Sequence, residues 1–305
     1  MRPVTTRKVP GECRGPGASL PTVRDSRILL ALVLLLYGVL ALALIAFLAP
    51  STFIGADLEI YQRAGRDLLS RGNPYASAAD YPYVFQYRYP PLLAMLMPVL
   101  GWPPIWYGLM AAATIGTFLV GVRVGGPAYL LPVVVLGGAW GQVLLNGNVQ
   151  PAVMLLLALV PVYRRAGGVA LALATMLKLH PVLGIVWYAG RRDWTALRWY
   201  AAAIVVLLIV QAPWLGNFVE FYLSEEVASP FGQTGFGLRA IHPVVWVAGT
   251  AVVAVAAYRW ADTRFGWLLA MGLQLAALPR VLLVNLALLL AAPIRSDAPK
   301  VATDR

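Results

Sequence analysis

Long apolar runs constrain the fold of this chain more than any other feature of its sequence. They cover residues 28–49, 107–122, 128–145 and 201–214. Each is long enough, or nearly so, to cross a hydrocarbon core about 30 Å thick. The chain is 60% hydrophobic and only 12% charged, whereas a soluble domain usually carries about 25% charged residues. These observations predict an all-α polytopic membrane protein.

The chain has a net charge of +11, and its charged residues lie mostly outside the apolar runs. Nucleic-acid binding needs a basic face interleaved with aromatics on a soluble module, and the sequence offers none. The positive-inside rule explains the excess better, because basic loops stay in the cytoplasm. Loops placed in this way predict about 9–10 membrane helices, including short broken ones. Both termini are then cytoplasmic, in a multi-pass protein of the plasma membrane.

The same layout predicts one membrane domain with two tails. We expect a disordered, basic cytoplasmic tail over residues 1–27, a transmembrane domain over 28–293 and a cytoplasmic tail over 294–305. The two longest segments outside the membrane, 50–89 and 215–242, both fall at the outer face.

A charged amphipathic segment opens the first outer loop. Apolar residues recur at helical spacing over residues 58–68, and Gly72 followed by Pro74 is a stop signal. The pattern predicts a helix from about Asp57 to Arg71 that lies on the outer surface. Asp57 at its start has two compatible interpretations: a helix N-cap, or a carboxylate that faces a lipid-borne substrate.

Two stretches are irregular. Residues 90–122 make one crossing but are interrupted by Gly and Pro at 101–104, so residues 90–100 are expected to form a short interfacial helix. Residues 167–190 are too few for two crossings, which need roughly 40 residues. With Lys178 in their middle, they predict two half-length helices that meet at a break. Broken helices usually line a cavity, because their freed backbone groups need partners.

Nearly every polar cluster falls at the outer face in this layout, which is typical of a site at that depth. The candidate substrate-binding residues are Tyr61, Arg88, Tyr89, Asn148, Gln150, Lys178, His180, Arg239 and Arg280. Simpler explanations exist for several: interfacial aromatics, lipid headgroup binding by Arg88, polar contacts between helices, and snorkelling of Lys178.

The sequence predicts neither a metal nor a cofactor. No cluster of His, Asp and Glu has metal-ligand spacing, and Cys13 is the single cysteine. A disulfide framework is therefore excluded. The chain also lacks a Gly-rich nucleotide motif. A site at the outer face then needs a donor that arrives within the membrane.

Short motifs follow one another in a defined order. They are Asp57-Leu-Glu-Ile-Tyr61, Gly72-Asn-Pro-Tyr75, Tyr89-Pro-Pro-Leu92, Gly147-Asn-Val-Gln150, Lys178-Leu-His-Pro181 and Arg191-Arg-Asp-Trp194, with looser matches at Gly232-Gln-Thr234 and Arg239. Over residues 28 to about 293, this set resembles glycosyltransferase family 87, the polyprenyl-phosphomannose-dependent mannosyltransferase-like proteins common in actinobacteria. Residues 278–285 lack the Trp and His that the family often carries there.

The resemblance implies a GT-C-type helical bundle that acts at the outer face. The donor would be a polyprenyl-phosphate hexose, with mannose expected, and the acceptor a glycolipid or cell-envelope glycan. Asp57 would be the base, and inversion by direct displacement would need no general acid because phosphate is a stable leaving group. Two other functions stay open: a lipid-sugar flippase or transporter, and a catalytically degenerate protein of envelope assembly.

Overall fold

The computed structural model describes residues 54–81, 86–223, 241–278 and 283–294. Within these ranges every regular element is a helix, and none is a strand. The predicted all-helical class is therefore confirmed. The first predicted span, both predicted tails and most of the second outer loop lie outside the described residues.

The α-helices of the described ranges are numbered here in chain order. They are α1 (Ala56–Arg71), α2 (Pro91–Leu100), α3 (Pro103–Gly125), α4 (Leu130–Leu145), α5 (Gln150–Leu159), α6 (Arg164–Leu177), α7 (Ile185–Gly190), α8 (Trp194–Phe221), α9 (Pro243–Arg259) and α10 (Gly266–Ala277). Segments with 3₁₀ geometry occupy Ala78–Asp80, Gly126–Tyr129, His180–Gly184 and Leu283–Ala291.

Two helical segments are long and apolar enough to cross a membrane. One is Pro103–Leu145, which joins α3 and α4, and the other is α8. Only 6% of the apolar window of α8 is buried within the protein, whereas the core helix of a soluble protein would be mostly buried. This exposure is consistent with a helical membrane protein. The apolar helices α2, α5, α9 and α10 are shorter, and none has the roughly 20 residues that a crossing needs.

Helices α5 and α6 form the centre of the packing. Helix α5 packs against α3 and α6, and α6 packs in turn against α8. Gly168 permits the close approach of α6 and α8, because a Cβ there would lie 2.4 Å from the carbonyl oxygen of Ala196. Since α6 is held on both sides, the position of Lys178, which follows its last residue, is fixed.

The predicted break near Lys178 is present. Helix α6 ends at Leu177, Lys178 has extended backbone, and a 3₁₀ turn from His180 leads into α7. Helix α6 has 14 residues and is therefore about 21 Å long, so it is too short to cross a hydrocarbon core alone. Helices α2 and α3 are likewise separated, as predicted, at Gly101 and Trp102.

Helix α1 starts one residue earlier than predicted, at Ala56. Gly55 is its N-cap, with a φ of 76°, and no side chain caps the helix. The N-cap interpretation of Asp57 is therefore wrong, because Asp57 is the second helical residue and its side chain bonds elsewhere. The buried side of α1 packs on α2, where Gly65 lies against Met97.

A tight turn between α4 and α5 holds the start of α1. The N–H groups of Gly55 and Asp57 donate to the carbonyl oxygens of Leu145 and Asn146, each over 2.9 Å. The first N–H groups of a helix lack partners within the helix itself. The turn supplies such a partner and sets the distance between Asp57 and the residues that follow Gly147.

Arginines gather at the end of α6 opposite Lys178. Arg164 forms an ion pair with Asp193 over 2.8 Å, and Arg191 approaches Asp262 to 3.9 Å. Asp193 also caps α8 by accepting from the N–H of Ala196. The starts of α6 and α8 and the end of α9 therefore meet at one basic end of the bundle, about 21 Å along α6 from the break.

Gly147→Ala tests the turn that carries the site. Gly147 has a φ of 68°, and an added Cβ would lie 2.8 Å from the Cβ of Leu58. We expect a loss of about 1–3 kcal/mol in the free energy of unfolding, measured as a lower Tm in detergent. Gly138→Ala is the matched control, since nothing lies within 4 Å of a Cβ there and alanine favours a helix. Equal Tm values for the two variants would contradict this account of the turn.

Candidate functional site

The side chain of Asn148 joins Asp57 to Lys178. Its Nδ2 donates to Asp57 Oδ2 over 2.7 Å, and its Oδ1 accepts from Lys178 Nζ over 3.1 Å. Lys178 Nζ also donates to Gln150 Oε1 over 2.6 Å. We call these four residues the Asn148 network. One amide thus aligns a carboxylate and an ammonium group that come from distant parts of the chain.

Lys178 donates two hydrogen bonds within the network and keeps one N–H donor for a ligand. A lysine ammonium group has three N–H donors, and Asn148 and Gln150 accept from two of them. The Nζ atom also lies 5.7 Å from the centre of the Tyr89 ring, within reach of a cation–π attraction. The remaining donor makes Lys178 a suitable partner for an anionic group of a ligand.

The pKa of the Asp57 carboxyl group is raised in the folded protein. Burial raises the pKa of its carboxyl group above the usual value of 3.8, while the hydrogen bond from Asn148 and the charge of Lys178 lower this pKa by less. A carboxylate with a raised pKa holds a proton more readily than one at the surface. The hydrogen bond from Asn148 goes to Oδ2, and a carboxylate has further acceptor positions that can take a proton from a ligand.

Three aromatic side chains pack against one another next to the Asn148 network. Tyr61 is completely buried, and its ring meets those of Tyr89 and Trp106 edge to face, with centroids 5.1 and 5.7 Å away. The Tyr61 hydroxyl donates to Tyr89 and accepts from the N–H of Val149. Because both roles of this hydroxyl are used inside the protein, Tyr61 positions the turn, whereas the partly buried Tyr89 remains a candidate to contact a ligand.

Trp106 completes this support. Its indole Nε1 donates to the carbonyl oxygen of Gly147 over 2.7 Å. The sequence pattern did not single out Trp106, because a tryptophan near the end of an apolar helix is typical of a membrane interface. Its buried hydrogen bond instead ties α3 to the turn that carries Asn148.

His180 lies two residues beyond Lys178 and faces a residue that the sequence pattern did not reveal. Its Nδ1 is 3.3 Å from Oε1 of Gln274 on α10. Gln274 is completely buried. A single amide in the otherwise apolar helix GWLLAMGLQLAA is the signal that could have identified it, because buried polar side chains need partners.

Of the three predicted substrate-binding arginines, the structure describes one, Arg88. Arg88 Nη2 donates to Gln86 Oε1 over 3.2 Å, and Arg88 follows the buried Tyr87 directly. Arg239 and Arg280 lie outside the described residues. Among the residues that the structure places, no three His, Cys, Asp or Glu side chains are grouped so as to hold a metal ion.

Comparisons with models of known protein families, with curated proteins and with solved structures find no match to this chain. The family resemblance of its short motifs therefore stays a prediction.

Asp57→Asn tests the electrostatics of the site independently of function. The pKa of Asp57 is raised in the folded protein, so its charge opposes folding at neutral pH. We expect Asp57→Asn to have a Tm at least equal to that of the unmodified protein at neutral pH, since the amide can still accept from Asn148. As the pH falls through the raised pKa toward 3.8, the unmodified protein should gain stability relative to the variant.

Thermal unfolding of both proteins in detergent across this pH range checks the sign. A variant that is less stable at neutral pH, with a deficit that shrinks on acidification, would mean that the charged carboxylate stabilises the fold.

Proposed function

We propose that this chain is a membrane glycosyltransferase of the GT-C type. It transfers a hexose, mannose being the sugar proposed, from a polyprenyl-phosphate donor to a lipid or cell-envelope glycan acceptor at the outer face of the plasma membrane. The observation that carries the proposal is the Asn148 network, in which one amide aligns the Asp57 carboxylate with Lys178. A base and a nearby cation are the two groups that this transfer requires.

The reaction is a single displacement with inversion. The acceptor hydroxyl oxygen forms a bond to the anomeric carbon of the sugar while the bond from that carbon to the phosphate oxygen breaks. The electron pair leaves with the polyprenyl phosphate, and Asp57 takes the hydroxyl proton. Because the phosphate is a stable anion, no general acid is needed. Lys178 balances the charge that develops on it, and Arg88, Arg239 and Arg280 are proposed to assist.

The charge distribution supports a site at the outer face. Arginines occupy the opposite end of α6, and cytoplasmic ends of membrane helices are enriched in basic residues. Trp102, which is 65% exposed beside α3, and Trp194, which is 59% exposed at the start of α8, suit the two interfacial belts. Helix α3 has 23 residues and a length of about 34 Å. Its Trp102 end carries the contact to the Asn148 turn and lies away from the basic end of the bundle, which supports an outer position for the site.

A lipid-sugar flippase is the second candidate, and the helix break at Lys178 favours it. Interrupted helices with a buried charge are common in transporters. Transport, however, requires no base, so Asp57 should be dispensable for translocation. A degenerate protein of envelope assembly would carry out neither activity. Loss of transfer in Asp57→Asn therefore separates the transferase from the other two functions, and translocation without transfer would support the flippase.

Asp57→Asn is expected to abolish transfer while the protein still folds. Removal of a general base lowers rates by about 10²–10⁴-fold. The measurement uses purified protein in proteoliposomes with radiolabelled polyprenyl-phosphate mannose and total envelope lipids. Glu59→Gln is the matched control, because Glu59 lies on the same helix but is exposed; it should retain the transfer rate.

Each outcome of this assay has a distinct meaning. Equal product from the unmodified protein and Asp57→Asn would contradict a catalytic role for Asp57. Translocation of the sugar-lipid without product would favour the flippase. Neither product nor translocation with a panel of hexose donors would reject both activities.

The pH dependence of transfer gives a second test. Asp57 must be deprotonated to act, so the rate should rise with pH through the raised pKa of its carboxyl group. Asn148→Ala removes a hydrogen bond that lowers this pKa. The acid limb of the variant's profile should therefore move to higher pH. A limb that stays in place or moves to lower pH would show that a different group titrates.

A further inference from the structure

Three buried nitrogen atoms beside the Asn148 network have no hydrogen-bond partner among the described residues. They are Gln150 Nε2, His180 Nε2 and Gln274 Nε2. Gln150 is 2% exposed and Gln274 is 0% exposed. A buried polar group without a partner is unfavourable, and proteins contain few of them. Three that are linked through one helix break suit a place where a polar ligand completes the hydrogen bonds.

The three side chains are linked through the helix break. Gln150, the first residue of α5, accepts from Lys178 through Oε1 over 2.6 Å, so its NH₂ group is the part that lacks an acceptor. Two residues beyond Lys178, His180 lies with Nδ1 3.3 Å from Gln274 Oε1. This contact is a hydrogen bond when the neutral imidazole carries its proton on Nδ1. His180 Nε2 is then an acceptor, and Gln274 Nε2 is a donor.

The resulting set contains two amide donors and one imidazole acceptor. A phosphate oxygen can only accept hydrogen bonds, so it would be repelled by the acceptor nitrogen of His180. A hydroxyl group donates and accepts, and adjacent hydroxyls of a sugar ring match a mixed set of this kind. Gln150 contacts Lys178 directly, and His180 lies two residues from Lys178 in the chain, so the set lies beside the cation of the proposed reaction centre.

We propose that Gln150, His180 and Gln274 form a subsite for the hydroxyl groups of the transferred sugar. Gln274 determines specificity, because it orients His180 and presents its own NH₂ group to the sugar. The assignment rests on the proposed function, since it identifies which side chains of that site recognise the donor's sugar.

Gln274→Leu tests the subsite in the full-length protein in detergent. Binding is measured for polyprenyl phosphate and for polyprenyl-phosphate mannose, glucose and galactose of the same chain length. The unmodified protein should bind one sugar-bearing lipid more tightly than bare polyprenyl phosphate. The variant should lose at least about tenfold of this preference, with an unchanged Kd for polyprenyl phosphate. Its Tm should change little, because removal of the unsatisfied NH₂ group offsets the loss of the hydrogen bond to His180 Nδ1.

Gln211→Leu is the matched control. Gln211 is also completely buried, but its Oε1 accepts from the N–H of Leu92 over 2.8 Å and its Nε2 donates to the carbonyl of Leu207 over 2.9 Å. Its loss should lower the Tm and leave the sugar preference intact.

The outcomes separate the subsite from the proposed function. If the unmodified protein prefers a sugar-bearing lipid and Gln274→Leu keeps that preference, the subsite is refuted while the proposed function stands. A lower Tm for Gln274→Leu with the preference intact would assign Gln274 a purely structural role. If the unmodified protein prefers no sugar-bearing lipid, the proposed function fails and the subsite falls with it.

Discussion

The site depends on the hydrogen bonds of a single amide, that of Asn148. An ammonium group within an apolar bundle is unfavourable unless it has partners, and Asn148 and Gln150 supply them to Lys178. The same Asn148 side chain donates to Asp57. The amide keeps the carboxylate and the ammonium group from neutralising each other in a direct ion pair, so each retains the capacity to act on a ligand.

The surrounding helices hold the Asn148 side chain in position, and Asn148 in turn contacts the charged groups. The turn between α4 and α5 accepts the first N–H groups of α1, Trp106 donates to the turn, and the packing of α6 between α5 and α8 sets the position of Lys178.

The groups that make this site suitable for a ligand also lower the stability of the fold. Burial of Asp57, which raises its pKa, and the unsatisfied nitrogens of Gln150 and Gln274 oppose folding, a trade-off that is common where activity needs a destabilised site.

Local signals in the sequence predicted the local structure. Apolar periodicity and Gly72 predicted α1 to within one residue of its start, and the break at Lys178 followed from a segment too short for two crossings. The sequence also named Asp57, Asn148 and Lys178 as candidates. The hydrogen bonds among these three residues could not be predicted from local patterns. Asn148 is 91 positions from Asp57 and 30 from Lys178 in the chain. Gln274 was missed although it is the single amide of an apolar helix, and its contact with His180, 94 positions away, has no local signal.

The most direct test of the central claim is a cryo-EM structure of the full-length protein with a bound, non-transferable polyprenyl-phosphate sugar. We predict that the phosphate lies against Lys178, with the anomeric carbon turned toward the acceptor position beside Asp57 Oδ1. A donor headgroup bound at the basic end of the bundle, or one with its anomeric carbon out of reach of Asp57, would contradict it.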